Sequence, residues 1–222
     1  MELSYWQSRW RKNKIGFHLP EGYPGLQKYW HHLDITDHPV VLVPLCGKSI
    51  DMVWMEEQGG TVIGVEISEK AILDFLDENN REYKTNTFAN FTIYQTGKIH
   101  LWCGDFMKLP KHKLPKINLI FDKGALIALP PKMRISYFYK IKELAGNSTK
   151  ILLQHFEYPQ NQMPGPPFSV SEEEIENAFK ATFSIHLLES NNIKPETFPK
   201  FQRRGLNSII VEQLLFLEPK LP

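Results

Sequence analysis

Val40-Val41-Leu42-Val43-Pro44-Leu45-Cys46-Gly47-Lys48-Ser49-Ile50-Asp51-Met52 constrains this chain more than any other stretch. Four consecutive apolar residues, three of them Val, suit a short strand buried on both faces. Pro44 has no N–H to give a ladder and should end that strand. Gly47 and Ser49 then make a tight turn, and Ser49 is expected to cap a helix through Asp51, Met52, Trp54 and Met55. A buried strand, a glycine turn and a helix start together predict an α/β chain. They place free N–H groups at the strand's carboxyl end, where open α/β sheets bind nucleotide-like ligands.

Two phosphate-binding readings fail on spacing. Gly47-Lys48-Ser49 matches the tail of a P-loop, but the glycine required five residues earlier is Leu42. A dinucleotide fingerprint needs three spaced glycines, and only Gly47 is present. The next strand, Thr61-Val62-Ile63-Gly64-Val65-Glu66, ends on an acid 19 residues after Gly47. A carboxylate there can accept both hydroxyls of a ribose. Ser68 should cap the helix that follows through Ala71, Ile72, Phe75 and Leu76. A nucleoside cofactor without a pyrophosphate cradle is implied, and S-adenosylmethionine meets that description.

The same segments carry a resemblance. Pro44-Leu45-Cys46-Gly47-Lys48-Ser49 and Gly64-Val65-Glu66-Ile67-Ser68 are similar to the thiopurine S-methyltransferase family, in its bacterial form. So are Trp6-x-x-x-Trp10, Ile15-Gly16-Phe17-His18, Asp122-x-Gly124-Ala125-Leu126 and Pro164-Gly165-Pro166-Pro167-Phe168. These motifs run from position 6 to 168 in family order. The resemblance implies the class I S-adenosylmethionine-dependent methyltransferase fold. That is a Rossmann-like α/β domain with a mostly parallel seven-stranded sheet, helices on both faces and a C-terminal antiparallel strand. One domain over 1–222 is expected, with a lid over 1–38 and the Rossmann-like core over 39–222.

The resemblance also implies roles. Trp10, Leu45, Gly47, Glu66, Asp105, Phe106 and Lys123 are implied as cofactor-binding, and Phe17 and Lys123 as substrate-binding. An aromatic such as Trp10 over a sulfonium is physically sensible, because a ring face attracts a cation. The N-terminal aromatics can equally anchor a helix to the core. Asp105 can accept from an adenine amino group with Phe106 on the ring, or it can brace its own turn. The family usually has Arg where this chain has Lys123, a point charge without a planar fork.

The implied reaction is direct in-line methyl transfer from S-adenosylmethionine to a thiopurine or another small thiol, selenium or tellurium acceptor, with S-adenosylhomocysteine as product. No catalytic base is assigned, since a thiol ionises near neutral pH. Two alternatives stand beside it: a cofactor-binding member without thiopurine turnover, and a methyltransferase for inorganic chalcogen or halide-like nucleophiles.

Composition narrows the partners. Lys plus Arg number 26 and Asp plus Glu 25 across 222 residues, a formal +1. That balance offers no electrostatic case for nucleic acid or an anionic membrane. No apolar run approaches the roughly 20 residues of a membrane span. The histidines show no close metal-ligand spacing, so no metal is expected. Cys46 and Cys103 fall at predicted strand ends, and a reducing compartment with free thiols is expected. A cytoplasmic location and a small-molecule acceptor are the resulting expectation, and a monomer is expected beside them.

Later strands are expected at Phe91-Tyr94, Ile99-Trp102, Asn118-Asp122 and Lys150-Phe156. A last antiparallel pair is expected at Phe183-Leu188 and Ser208-Phe216. A helix is expected from about Lys132 to Leu144. Residues 159–168 hold too many prolines for a helix or central strand and read as a loop at the carboxyl edge of the sheet.

Overall fold

The structure is a computed structural model describing residues 3–16 and 18–220. It divides into two units, residues 1–121 and 122–222.

The first unit opens with α1 (Leu3–Arg11) and α2 (Pro24–Tyr29). Two βα steps follow: β1 (Val40–Pro44), α3 (Asp51–Glu57), β2 (Thr61–Glu66) and α4 (Glu69–Glu78). Then come β3 (Lys84–Phe88), β4 (Phe91–Thr96), β5 (Ile99–Cys103) and β6 (Leu119–Lys123), the last ending in the second unit. The strand order is β3-β4-β5-β2-β1-β6. β1 pairs parallel with β2 and with β6, and β2 pairs parallel with β5. The central strands are buried almost throughout, as both-face burial of Val-rich runs requires.

β3 and β4 form an antiparallel hairpin, and β4 runs antiparallel to β5. The sequence reading expects β4 but takes Lys84–Phe88 as irregular. Four of its five residues are exposed. Pairing with β4 holds it as a strand, so it carries no hydrophobic signal.

In the second unit, α5 (Ala125–Ala128) and α6 (Pro131–Leu144) precede β7 (Lys150–Glu157). Next come α7 (Glu172–Phe179), β8 (Phe183–Ile193), α8 (Pro199–Gln202) and β9 (Ile210–Pro219). β9 pairs antiparallel with both β7 and β8. Ser171 caps α7, its hydroxyl accepting from the Glu174 N–H at 3.2 Å. Three glutamates follow in the first turn, where they complement the helix dipole. Among the described residues there are nine strands rather than the seven expected. Of these, only β3 has no counterpart in the strands expected from the sequence.

Two predicted caps are corrected. α3 begins at Asp51 with Ile50 at its N-cap, and Ser49 makes no capping bond. The Ser49 hydroxyl donates instead to Asp51 Oδ2 at 2.7 Å, a charged acceptor stronger than the capping alternative. Ser68 occupies the N-cap of α4, but its side chain makes no capping bond either; its backbone N–H donates to Glu66 Oε1.

Candidate functional site

The ends of β1 and β2 meet in one hydrogen-bonded turn. Beyond Pro44, Leu45 sits at φ 46° and Gly47 at φ 54°. A left-handed backbone at Leu45 costs about 1 kcal/mol or more, and such strain concentrates where a turn must be held in one shape. The Cys46 N–H donates to Val65 O at 3.0 Å, carrying the β1–β2 contact past the proline.

The Gly47 N–H donates to Glu66 Oε2 at 3.0 Å, and the Ser68 N–H donates to Oε1 at 2.7 Å. The Ile67 backbone N–H lends the carboxylate further, weaker support, and acceptor capacity remains. Two adjacent ligand hydroxyls match what remains. Glu66 is only 4% exposed, and burial pushes its carboxyl up to about 7, against the pull of the backbone donors. The pairing read from a spacing of 19 residues is a direct bond in the fold.

Trp10, 2% exposed, packs on this turn from α1. A Cβ at Gly47 would lie 3.0 Å from Trp10 Cζ2, so glycine supplies both the left-handed φ and the clearance for the indole. Phe17 lies outside the described residues.

β5 pairs with β2 so that Cys103 faces Glu66, and the Gly104 N–H donates to Glu66 O at 2.9 Å. Asp105 and Phe106 thus leave the sheet at the same end as Glu66. Asp105 Oδ1 accepts from the Met107 N–H at 3.0 Å, so one oxygen does brace its own turn. Phe106 is buried. Both cysteines are free. Burial first, and then nearby carboxylates, push the Cys103 thiol up to about 11, and burial also raises Cys46. Neither is a thiolate nucleophile near neutral pH.

In the second unit Lys123 ends β6, half-buried. Beside it the carboxylate of Asp122 is fully engaged. Oδ1 accepts from the Ala125 and Leu126 N–H groups, both at 3.1 Å, and Oδ2 accepts from the Tyr137 hydroxyl at 2.7 Å. Burial raises this carboxyl to about 6. Asp122 braces the turn that carries Lys123.

The proline-rich loop is also tied down. The Tyr158 hydroxyl donates to Pro167 O at 2.7 Å, and the Phe168 N–H to Ile127 O at 2.7 Å. Arg204 donates to both Gly165 O and Pro166 O at 2.7 Å.

Arg134 and Asp51 are among the buried polar residues to which sequence reasoning gives no role. Arg134, 1% exposed, donates to Leu129 O, Ser169 O and Glu174 Oε2 at 3.0, 2.8 and 2.6 Å. Asp51 Oδ1 accepts from the Tyr23 N–H at 2.7 Å. A charge inside an otherwise apolar helical stripe is the only sequence signal either gives. Among the described residues, no group of three or more His, Cys, Asp or Glu side chains could hold a metal ion. No helix is long and apolar enough to cross a membrane.

Glu66 and Asp122 both bind protons more tightly when folded than at their ordinary values of 4.5 and 3.8. A raised carboxyl makes stability rise as pH falls through the folded value, levelling off below the unfolded one. The Glu66 contribution therefore spans about pH 7 down to 4.5. Melting curves of the ligand-free protein from pH 8 to 5 should show wild type gaining on Glu66→Gln as pH drops. Parallel curves would refute the buried-carboxyl assignment.

The family model described as thiopurine S-methyltransferase matches residues 1–218. A thiopurine S-methyltransferase of Pseudomonas fluorescens SBW25 is 40% identical over 209 residues, covering 94% of this chain and 95% of that one. One from Nitrosospira multiformis is 39% identical over 217 residues, covering 98% and 97%. Solved structures share the fold at low identity. The 1,6-didemethyltoxoflavin-N1-methyltransferase of Burkholderia thailandensis, bound to 1,6-didemethyltoxoflavin and S-adenosylhomocysteine, aligns with TM-score 0.64 at 15% identity. It covers 98% of this chain and 87% of that one. An S-adenosylmethionine-dependent methyltransferase from Anabaena variabilis aligns with TM-score 0.64 at 13% identity, covering 98% and 95%. The fold is that of the class I S-adenosylmethionine-dependent methyltransferases.

Proposed function

The chain belongs to the thiopurine S-methyltransferase family, and from that premise we propose that it methylates the sulfur of thiopurines or related small thiols. It is an S-adenosylmethionine-dependent S-methyltransferase. The observation that carries the site assignment is the Glu66 carboxylate, held by the Gly47 and Ser68 N–H groups at the ends of two parallel strands with acceptor capacity remaining.

The residues present fit the cofactor. Glu66 is suited to accept from both ribose hydroxyls. Trp10 covers the turn and offers a ring face to a sulfonium. Leu45 and Gly47 would line its site, and Asp105 and Phe106 would take the adenine, Asp105 through the oxygen that does not accept from the Met107 N–H. S-adenosylmethionine supplies the transferable methyl group when bound and is left as S-adenosylhomocysteine.

What the chain adds is position and dryness. Orientation can supply most of the rate in such a displacement. A thiol acceptor loses its proton near neutral pH, so no side chain is required as base. Phe17 and Lys123 are assigned to the acceptor, Lys123 as a cation that favours its thiolate. Residues 1–222 act as a single methyltransferase domain with residues 1–38 as its lid. The two free cysteines suit a reducing cytoplasm, and the near-neutral charge suits small-molecule acceptors rather than nucleic acid or an anionic membrane.

The deciding experiment is an acceptor panel with labelled S-adenosylmethionine: 6-mercaptopurine, simple thiols, selenite, tellurite and halides. Methylated 6-mercaptopurine is the expected product. Cofactor binding without transfer to any sulfur acceptor would refute the proposal.

The Lys123 role has its own test. Lys123→Ala should lower turnover of 6-mercaptopurine on the order of tenfold below the acceptor's pKa, because a nearby cation lowers that pKa by about a unit. The rates should converge above it, and Lys123→Arg should keep wild-type turnover. A pH–rate profile unchanged in Lys123→Ala would remove Lys123 from the site.

A further inference from the structure

The Gly47–Asp51 turn holds the N-terminal segment twice. At one end Trp10 lies on Gly47, where a Cβ would stand 3.0 Å from Trp10 Cζ2. At the other, Gly22 and Tyr23 are seated on Asp51. The Tyr23 N–H donates to Asp51 Oδ1 at 2.7 Å, and the Ser49 hydroxyl orients the same carboxylate through Oδ2 at 2.7 Å. Asp51 is 2% exposed. Gly22 adopts φ 77°, and a Cβ built there would stand 2.7 Å from Asp51 Oδ1. This seat takes glycine alone, for both reasons. The Tyr23 ring then packs against Phe121, 6.4 Å between centroids.

From this geometry we infer that Asp51 is a positioning residue for the cofactor lid. It fixes the far end of the 11–21 segment to the turn that also carries Trp10 and the Glu66 bond. The inference rests on the cofactor reading given above. With both ends seated on one turn, closing the segment costs little chain entropy, and Trp10 is kept at high local concentration over Gly47. With the Asp51 seat lost, the same chain must be ordered again each time cofactor is covered. Asp51 need not touch the ligand. Its effect passes through the backbone N–H of Tyr23.

Two variants break the seat independently. Asp51→Ala removes the acceptor, and Gly22→Ala blocks the approach while leaving Asp51 and α3 intact. Asp51→Asn keeps an oxygen for the Tyr23 N–H and serves as the conservative rescue. The readouts are the S-adenosylhomocysteine dissociation constant by calorimetry and its release rate by stopped-flow displacement.

Asp51→Ala and Gly22→Ala should each raise the dissociation constant about tenfold, chiefly through faster release, the scale of one charge-assisted hydrogen bond. Asp51→Asn should stay near wild type. Added to Trp10→Ala, Gly22→Ala should weaken binding little further, because the seat acts by holding Trp10 in place. A merely structural Asp51 would lower the melting temperature and leave affinity and release rate alone. That result in either folded variant, or full additivity with Trp10→Ala, overturns the inference while wild-type binding keeps the cofactor reading intact. Wild-type protein that fails to bind S-adenosylhomocysteine overturns both.

Discussion

Replacing Glu66 with alanine is expected to weaken S-adenosylhomocysteine binding by roughly 1.5–3 kcal/mol, about ten- to a hundredfold. The carboxylate stands between two strand ends, each oxygen already fixed by one backbone donor. A ligand hydroxyl arriving there meets an acceptor that needs no reorganisation. Alanine removes both acceptors and leaves the Gly47 and Ser68 N–H groups facing an apolar gap. Glu66→Gln keeps one oxygen and should lose less. Calorimetry at pH 8, where the buried carboxylate is ionised, reads the difference directly. Equal affinity in wild type and Glu66→Ala would end the ribose assignment.

A second large effect belongs to stability. Arg134→Met retains an apolar stem inside α6 but strips three hydrogen-bond partners at once: Leu129 O, Ser169 O and Glu174 Oε2. Removing one side of a buried ion pair costs about 3–5 kcal/mol. Glu174 is one-third exposed and can recover some hydration, so about 3 kcal/mol is expected here. For a chain of this size that corresponds to a melting temperature lower by roughly 6–12 °C. Arg134→Lys should not rescue it, since a single ammonium cannot reach three acceptors in a planar fork. Urea unfolding of the two variants checks the claim. A midpoint within error of wild type for Arg134→Met would show that the network contributes nothing net.

These two residues also mark what a sequence discloses. β1 and β2 are legible because strands buried on both faces must be written in continuous apolar residues. Glu66 is legible because it closes such a run, at a spacing that parallel strands convert into adjacency. Arg134 and Asp51 are charged residues whose partners lie far along the chain, and no local pattern names a Ser169 carbonyl or a Tyr23 N–H. β3 escapes notice for the opposite reason: it buries almost nothing, and its strand character comes from β4. Ser49 misleads because the expected helix cap is a local rule, while a carboxylate two residues away offers its hydroxyl a better acceptor.

β3 and β8 bear on how the chain behaves when crowded with copies of itself. Each is the outermost strand of its unit's sheet among the described residues, with a single neighbouring strand. β3 fills that edge with Lys84, Thr85, Asn86 and Thr87, all exposed. β8 is longer and carries an exposed Leu187, but its register breaks between Leu187 and Glu189, where a bulge twists the strand and a carboxylate follows. Charge at one edge and irregularity at the other discourage strand-to-strand docking between molecules. Both features oppose edge-to-edge association of the sheet. Apolar substitutions at Lys84 or Asn86 would erode that protection while leaving every buried contact in place.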